Sequence, residues 1–291
     1  MTISLGEPER RAPGAAVEPA AGPVRMKVHG TPAAEPDRRG GHSLLPSKAP
    51  LKHLVVIPAY NEEACLAGTI ASLQVLPECY DVVVVDDGSR DRTREVAERA
   101  AAETGRCLWV VRLPINGGIG AAVQTGYLFA RDRGGYEYVI QCDADGQHDP
   151  GDIPKLVDEC RRRGLDLCIG SRFLERNSTG DRSTFMRRVG ITLFTSLIGL
   201  LSGVRLTDPT SGFRCTGPRA WRRFAESYPE DYPEPESAFW CVRNRLVVGE
   251  VGVCMRPRAG GISSIRYWRA AYYVVKVSLA ILIDRLRSKG N

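Results

Sequence analysis

Asp143, Asp145 and Asp149 are packed into "CDADGQHDP", with Gln147 and His148 between the last two, just where the apolar run "YVIQC" ends. Carboxylates gathered so closely repel unless a metal, a basic neighbour or water compensates them. In Asp143-x-Asp145 the chain is leaving a strand, so a turn can aim both side chains at one point. Oxygen ligands with open positions between them suit Mg²⁺ or Mn²⁺ held jointly with a diphosphate. Alone, D-x-D also fits a solvated turn. The metal reading gains weight from Gln147, a further oxygen ligand, and from polar clusters at other apolar runs. These are Pro58-Ala59-Tyr60-Asn61-Glu62, Asp86-Asp87-Gly88-Ser89 and Gly170-Ser171-Arg172. His148 reads as a supporting or surface residue, and Cys142 as a small strand residue rather than a nucleophile.

Two familiar phosphate-binding patterns are excluded. "NGGIGAAVQTG" has Gly118-x-Gly120, but Val123 stands at the third glycine of a dinucleotide fingerprint, and no acidic residue follows in the ribose position. No G-K-[ST] occurs, so there is no Walker loop. The segment reads as a glycine-rich turn that lets backbone approach a ligand, followed by a helix.

The elements that must position these residues are legible as alternation. "HLVVIPAY", "DVVVVDDGS", "CLWVVRL", "YVIQCDAD" and "DLCIGSR" are short β-branched runs. Helical patterns lie between them, over Glu62–Leu76, Asp91–Thr104, Ala121–Arg131 and Asp152–Arg163. Strands apolar on both faces, alternating with helices, predict a mostly parallel α/β sheet covered on both sides. Ligands of such sheets bind beyond the carboxyl ends of the strands, where the polar clusters fall. Residues 1–50, rich in Ala, Pro, Gly and Arg, read as a disordered tail without the apolar core of a secretory signal.

The nine cysteines are scattered, with no C-x-x-C pair, which argues against a disulfide framework or a structural zinc and fits a reducing cytosol. The formal net charge is +6. Glu250–Asn291, with eight Lys/Arg against Glu250 and Asp284, supplies that excess by itself. Arg182–Arg223, with eight arginines against Asp208, is similarly basic, and each stretch encloses an apolar run. Those runs, Val189–Val204 and Ala270–Ile283, fall short of the roughly 18–20 residues that span a bilayer. Basic flanks and Tyr267, Trp268, Tyr272 and Tyr273 favour interfacial helices on an anionic membrane over core helices. No basic, aromatic-interleaved pattern for nucleic acid is present.

Taken together, "VVIPAYNEE", "VVVVDDGSRDRT", "CDADGQHDP", "GSRF" and "DPTSGFR" resemble family-2 inverting glycosyltransferases of GT-A fold, in the branch of dolichol-phosphate mannose synthase and polyprenyl-phosphate glycosyltransferases. The resemblance divides the chain into the tail, a GT-A domain over 51–264 and a basic amphipathic membrane-associating helix over 265–291. It implies a Rossmann-like sheet with helices on both faces. Ile119 departs from the lysine common in the family's "G-K-G". The resemblance implies that Pro58, Ala59, Tyr60, Glu62, Asp86, Asp87 and Gly118 line the donor nucleotide site. Asp143, Asp145 and Gln147 would hold Mg²⁺ or Mn²⁺ on the donor diphosphate, with Arg256 or Arg258 closing over it. Arg172, Arg187 and Arg188 would bind an acceptor phosphate. Asp208 would act near the acceptor as a base or positioning group, and its simpler role is to cap the turn before Pro209. Glu234 and Glu236 are weaker candidates.

The implied activity is sugar transfer from a UDP- or GDP-sugar to a polyprenyl phosphate. The implied place is the inner face of the cell membrane, held peripherally, with room for a small integral membrane partner and none for nucleic acid. The excess of arginine over lysine fits a GC-rich bacterial genome and an undecaprenyl-type lipid. The alternatives are transfer to a hydroxyl acceptor and a catalytically silent membrane adaptor of the same fold. Retention of the clustered carboxylates speaks against the adaptor.

Overall fold

The computed structural model describes residues 51–174, 204–230 and 233–256, together with residues 28, 29, 195 and 199. The expected tail, the apolar runs Val189–Val204 (all but its last residue and two isolated positions) and Ala270–Ile283, and the membrane-associating helix over 265–291 lie outside these. So do Arg187, Arg188 and Arg258.

The described chain forms an eight-stranded sheet. In chain order its strands are β1 (Val28–His29), β2 (Lys52–Ala59), β3 (Tyr80–Asp86), β4 (Leu108–Arg112), β5 (Tyr136–Gln141), β6 (Leu167–Ser171), β7 (Arg214–Thr216) and β8 (Val248–Gly252). Its helices are α1 (Leu66–Ser72, extended by a 3₁₀ turn), α2 (Thr93–Glu103), α3 (Gly118–Arg133), α4 (Asp152–Arg163), α5 (Pro218–Glu226) and α6 (Pro233–Arg243). Spatial order is β1-β4-β3-β2-β5-β7-β6-β8. The pairs β2–β3, β3–β4, β2–β5 and β6–β8 are parallel, while β1–β4, β5–β7 and β6–β7 are antiparallel.

Strand periodicity explains the layers. Val55, Ile57, Val82 and Val84 face one core with Leu66, Ile70, Ala97, Leu156 and Cys160 of α1, α2 and α4. Their alternates Leu54, Val56, Val83 and Val85 face a second core with Tyr127, Trp221, Phe224 and Cys241 of α3, α5 and α6. With both faces buried, the strands must be apolar throughout, as the runs of valine are.

All five expected strands are present, and α4 has the expected limits. Helix α1 starts later than expected, at Leu66. Upstream, the backbone N–H groups of Glu62 and Glu63 donate to Thr93 Oγ1 and Asp91 Oδ2, at 2.8 and 3.2 Å, and hold the chain in a turn. Strand β7 was not anticipated, because three residues, Arg-Cys-Thr, carry no period of their own. It matters most for the site. Six strands (β2–β6 and β8) run in one direction and end at one edge; β7 runs against them and therefore begins there. That reversal brings "DPTSGFR" to the same edge as the D-x-D loop. Among the described residues no helix is long and apolar enough to cross a membrane.

Candidate active site

The carboxyl edge of the sheet collects the polar clusters. Asp86, the last residue of β3, is fully buried. Its Oδ1 accepts from the Ser89 amide at 2.9 Å. Its Oδ2 lies 3.4 Å from Arg112 Nε and has no hydrogen bond among the described residues. A buried carboxylate oxygen in that state is suited to a donor from a ligand, such as a base N–H or a hydroxyl. Pro58 and Ala59 close β2 beside it and are buried, whereas Tyr60 is exposed and Glu62 half-buried.

Asp87 is committed elsewhere. Its two oxygens accept from the amides of Gly117 and Gly118 at 2.7 and 2.8 Å. Burial pushes its carboxyl up, and the two amide bonds oppose that. A carboxylate thus sits at the N-terminus of α3, where a phosphate would otherwise bind. The glycine-rich turn docks the helix to β3, and the Gly118 N–H is already used.

The D-x-D loop leaves β5 and folds back on itself. Gly146 has φ 75°, in the left-handed region, and the Gln147 amide returns to Asp145 Oδ1 at 3.1 Å. The Asp143 side chain is 38% exposed, with Oδ2 3.6 Å from His148 Nε2. His148 Nδ1 accepts the Asp143 amide at 3.0 Å, so this nitrogen carries no proton and is not a spare metal ligand. Among the described residues no three His, Cys, Asp or Glu side chains converge as a metal cage. Two carboxylates and the Gln147 amide still fit Mg²⁺ or Mn²⁺, ions that keep positions for water and substrate phosphate. Cys142 is buried, and burial pushes its thiol far up, with Asp143 and Asp145 adding to the effect. It is a strand residue, as expected, and not a nucleophile.

Arg172 and Asp208, predicted separately, are bound to each other. Arg172 Nε and Nη2 meet Asp208 Oδ2 and Oδ1 at 2.6 and 2.7 Å, and both residues are buried. The fork is bidentate, the strong geometry for this pair. The turn that carries Asp208 is held by Glu250 of β8, which accepts from the amides of Thr207 and Asp208 at 2.6 and 2.7 Å. Burial pushes the Glu250 carboxyl up, and these bonds oppose that. Asp208 therefore does more than cap the turn before Pro209.

Arg214 is almost fully buried and, among the described residues, makes no ion pair within 4 Å. It donates to the carbonyls of Pro209, Ser211 and Glu234 and to Ser237 Oγ, over 2.7–3.2 Å. Burial pushes Glu234 up, with the Arg214 cation opposing and Asp143 reinforcing. Gln141 sits in the same group. Among the described residues its amide lacks a partner of good hydrogen-bond geometry, but it lies near enough to Glu234 to favour the carboxylate. Arg256 reaches Asp149 Oδ2 at 3.1 Å, and its amide donates to Gln147 O at 2.8 Å. The chain after β8 is thus tied to the D-x-D loop.

The structure brings Asp86, Asp143, Asp145, Gln147, Arg172 and Asp208 to one edge, with Arg256 beside them. Sequence reasoning missed Gln141 and Glu250, which have no signal in one sequence, and the anchoring part of Arg214. The last stood in a quoted motif whose burial could not be read.

A family model described as Glycosyl transferase family 2 matches residues 54–227. Polyprenol monophosphomannose synthase of Mycolicibacterium smegmatis is 30% identical over 247 residues, 80% of this chain and 89% of its own. Undecaprenyl-phosphate mannosyltransferase of Micrococcus luteus is 36% identical over 166 residues, 56% of this chain and 65% of its own. Some other curated relatives are matched over only 44–51% of their length. A mannosyltransferase from Pyrobaculum calidifontis, solved with GDP-Man and Mn²⁺, aligns at TM-score 0.59 and 17% identity, covering 80% of this chain and 64% of that one. That likeness is one of fold: α/β, GT-A-like, with a mixed, mostly parallel sheet.

Proposed function

We propose a function from the premise that this chain belongs to glycosyl transferase family 2: it transfers a sugar from a nucleoside-diphosphate sugar to a polyprenyl phosphate. The names of the Mycolicibacterium and Micrococcus relatives support the lipid-phosphate acceptor. The observation that carries it is the closed Arg172–Asp208 fork. With both oxygens engaged by a guanidinium, Asp208 is poorly placed to take a proton from an attacking hydroxyl. A phosphate monoester has its second pKa near about 6 and is already an anionic nucleophile at neutral pH. It needs cationic positioning rather than a base.

In this reading Asp86 and the end of β2 receive the nucleoside. Asp143, Asp145 and Gln147 would hold Mg²⁺ or Mn²⁺, which when bound neutralises charge on the departing diphosphate. Arg256 closes the diphosphate side, with Arg258 following it. The acceptor oxygen attacks the anomeric carbon opposite the leaving group and inverts it. Arg187 and Arg188 carry the acceptor phosphate, while Arg172 organises their approach through Asp208. Phe173 and Leu174, 42% and 47% exposed, leave the edge beside Arg172 as an apolar start for the isoprenoid path. The enzyme works peripherally at the inner face of the membrane, on an undecaprenyl-type lipid.

The test is a panel of UDP- and GDP-sugars incubated with undecaprenyl phosphate, undecaprenol and soluble saccharides, with Mg²⁺ or Mn²⁺. Transfer to the lipid phosphate, lost in EDTA and restored by metal, is expected. A free hydroxyl acceptor outperforming the phosphate, or undiminished transfer in EDTA, sinks the reading.

A further inference from the structure

His148 and Gly212 lie against Asp143, and Phe213, next to Gly212, stacks on the His148 ring. We propose that they form a clamp that sets the orientation of the Asp143 carboxylate, as positioning residues for the cation; this rests on the metal reading above.

On one side is the His148 ring, 5% exposed. Its Nδ1 takes the Asp143 amide proton at 3.0 Å, so the neutral ring carries its proton on Nε2, which faces Asp143 Oδ2 at 3.6 Å. The ring is stacked on Phe213, with centroids 4.5 Å apart and planes at 16°. Phe213 is itself fixed, because its carbonyl accepts from the Gly170 amide of β6 at 2.8 Å. On the other side is Gly212. A Cβ there would stand 2.9 Å from each Asp143 oxygen and 3.1 Å from Gln141 Nε2, too close for any of them to stay in place. The carboxylate is walled on two sides and open outward. An isolated antiparallel bridge pairs the backbone of His148 with that of Met255 and fixes the chain that carries the ring.

The first half of "DPTSGFR" secures Arg172, and the second half secures the D-x-D carboxylate. Partners that orient a ligating carboxylate or imidazole typically change metal affinity about 10–100-fold when removed. The clamp does this without touching the cation.

The experiment titrates Mn²⁺ into the full chain, with and without GDP or UDP, and reads free Mn²⁺ by its EPR signal. His148→Phe keeps the stack on Phe213 and removes both nitrogens, so Mn²⁺ binding is expected to weaken about tenfold or more. Gly212→Ala presses on the carboxylate and should weaken it in the same direction. His148→Gln places an amide nitrogen near the position of Nε2 and should recover part of the loss. Thermal unfolding and metal-free nucleotide binding should stay near wild type, which a merely structural role for the ring would not spare. Folded variants that bind Mn²⁺ within about twofold of wild type overturn the clamp. If His148→Phe does not fold, Gly212→Ala decides alone. A wild-type chain that binds no Mn²⁺ overturns the metal reading and the clamp together.

Discussion

Arg172 and Asp208 illustrate how a side chain's environment sets its role. Each was assigned a separate task from its motif, and each is buried in the grip of the other. Removing one partner leaves the other as an uncompensated buried charge. Asp208→Ala is therefore expected to destabilise the fold by about 3–5 kcal/mol in urea unfolding. The double variant Arg172→Met/Asp208→Leu should recover much of that stability without recovering transfer. A fully stable Asp208→Ala protein would show that the pair has no structural part. Cysteine chemistry follows the same logic. Burial holds the Cys142 thiol protonated, whereas Cys107 and Cys254 are exposed. Iodoacetamide on the native protein should modify Cys107 and Cys254 first, as read by peptide mass spectrometry, and early labelling of Cys142 would contradict its burial.

Helix α3 is docked by one carboxylate. The side chain of Asp87 bridges the end of β3 to the amides of Gly117 and Gly118. Asp87→Ala leaves those N–H groups and the helix dipole without their acceptor. The expected cost is about 1–3 kcal/mol, with faster hydrogen exchange at residues 117–120 than in the rest of α3. Unchanged exchange there would mean that the helix is held by its apolar face alone. Most of the elements were readable because their runs are long enough to show a period. The valines of β3 alternate between two cores, and α4 places acid at its first turn and three arginines at its last. Strand β7 had no such handle. Its place between β5 and β6 is a matter of pairing, not of local preference.

One pH-sensitive group lies at the opposite end of the sheet from the site. His53, at the start of β2, is 2% exposed between Tyr80 and Tyr138. Its Nε2 accepts from Arg161 Nη2 at 3.1 Å, and Nδ1 has no hydrogen-bond partner among the described residues. Burial, reinforced by the Arg161 charge, lowers its pKa from 6.5 to about 4. The neutral ring is the folded form, so an unfolded chain takes up a proton in that window which the native one does not. The contribution is fully present above pH 6.5 and is lost as pH falls toward 4. A loss on the order of 2 kcal/mol is expected between those limits. His53→Phe, which keeps a ring between the two tyrosines, should flatten urea-unfolding stability across this range. An equally steep dependence in the variant would assign it to other groups.

What one sequence could establish here is whatever depends on near neighbours. Apolar runs alternating with helical periods forced a sheet buried on both faces. Polar residues at the ends of those runs had to gather at one edge, since parallel strands end together. That reasoning placed Asp86, Asp143, Asp145 and Gln147 correctly within the fold. It could not show that Asp87 spends both oxygens on Gly117 and Gly118, that Arg172 and Asp208 pair with each other, or that Gly212 lies against Asp143 while Phe213 stacks on His148. Each of those facts joins segments roughly 30 to 70 residues apart, and each follows from the backward run of β7 or the packing of α3. A side chain's charge and donors are written in its type; whether they are already satisfied depends on which distant group folding presses against it.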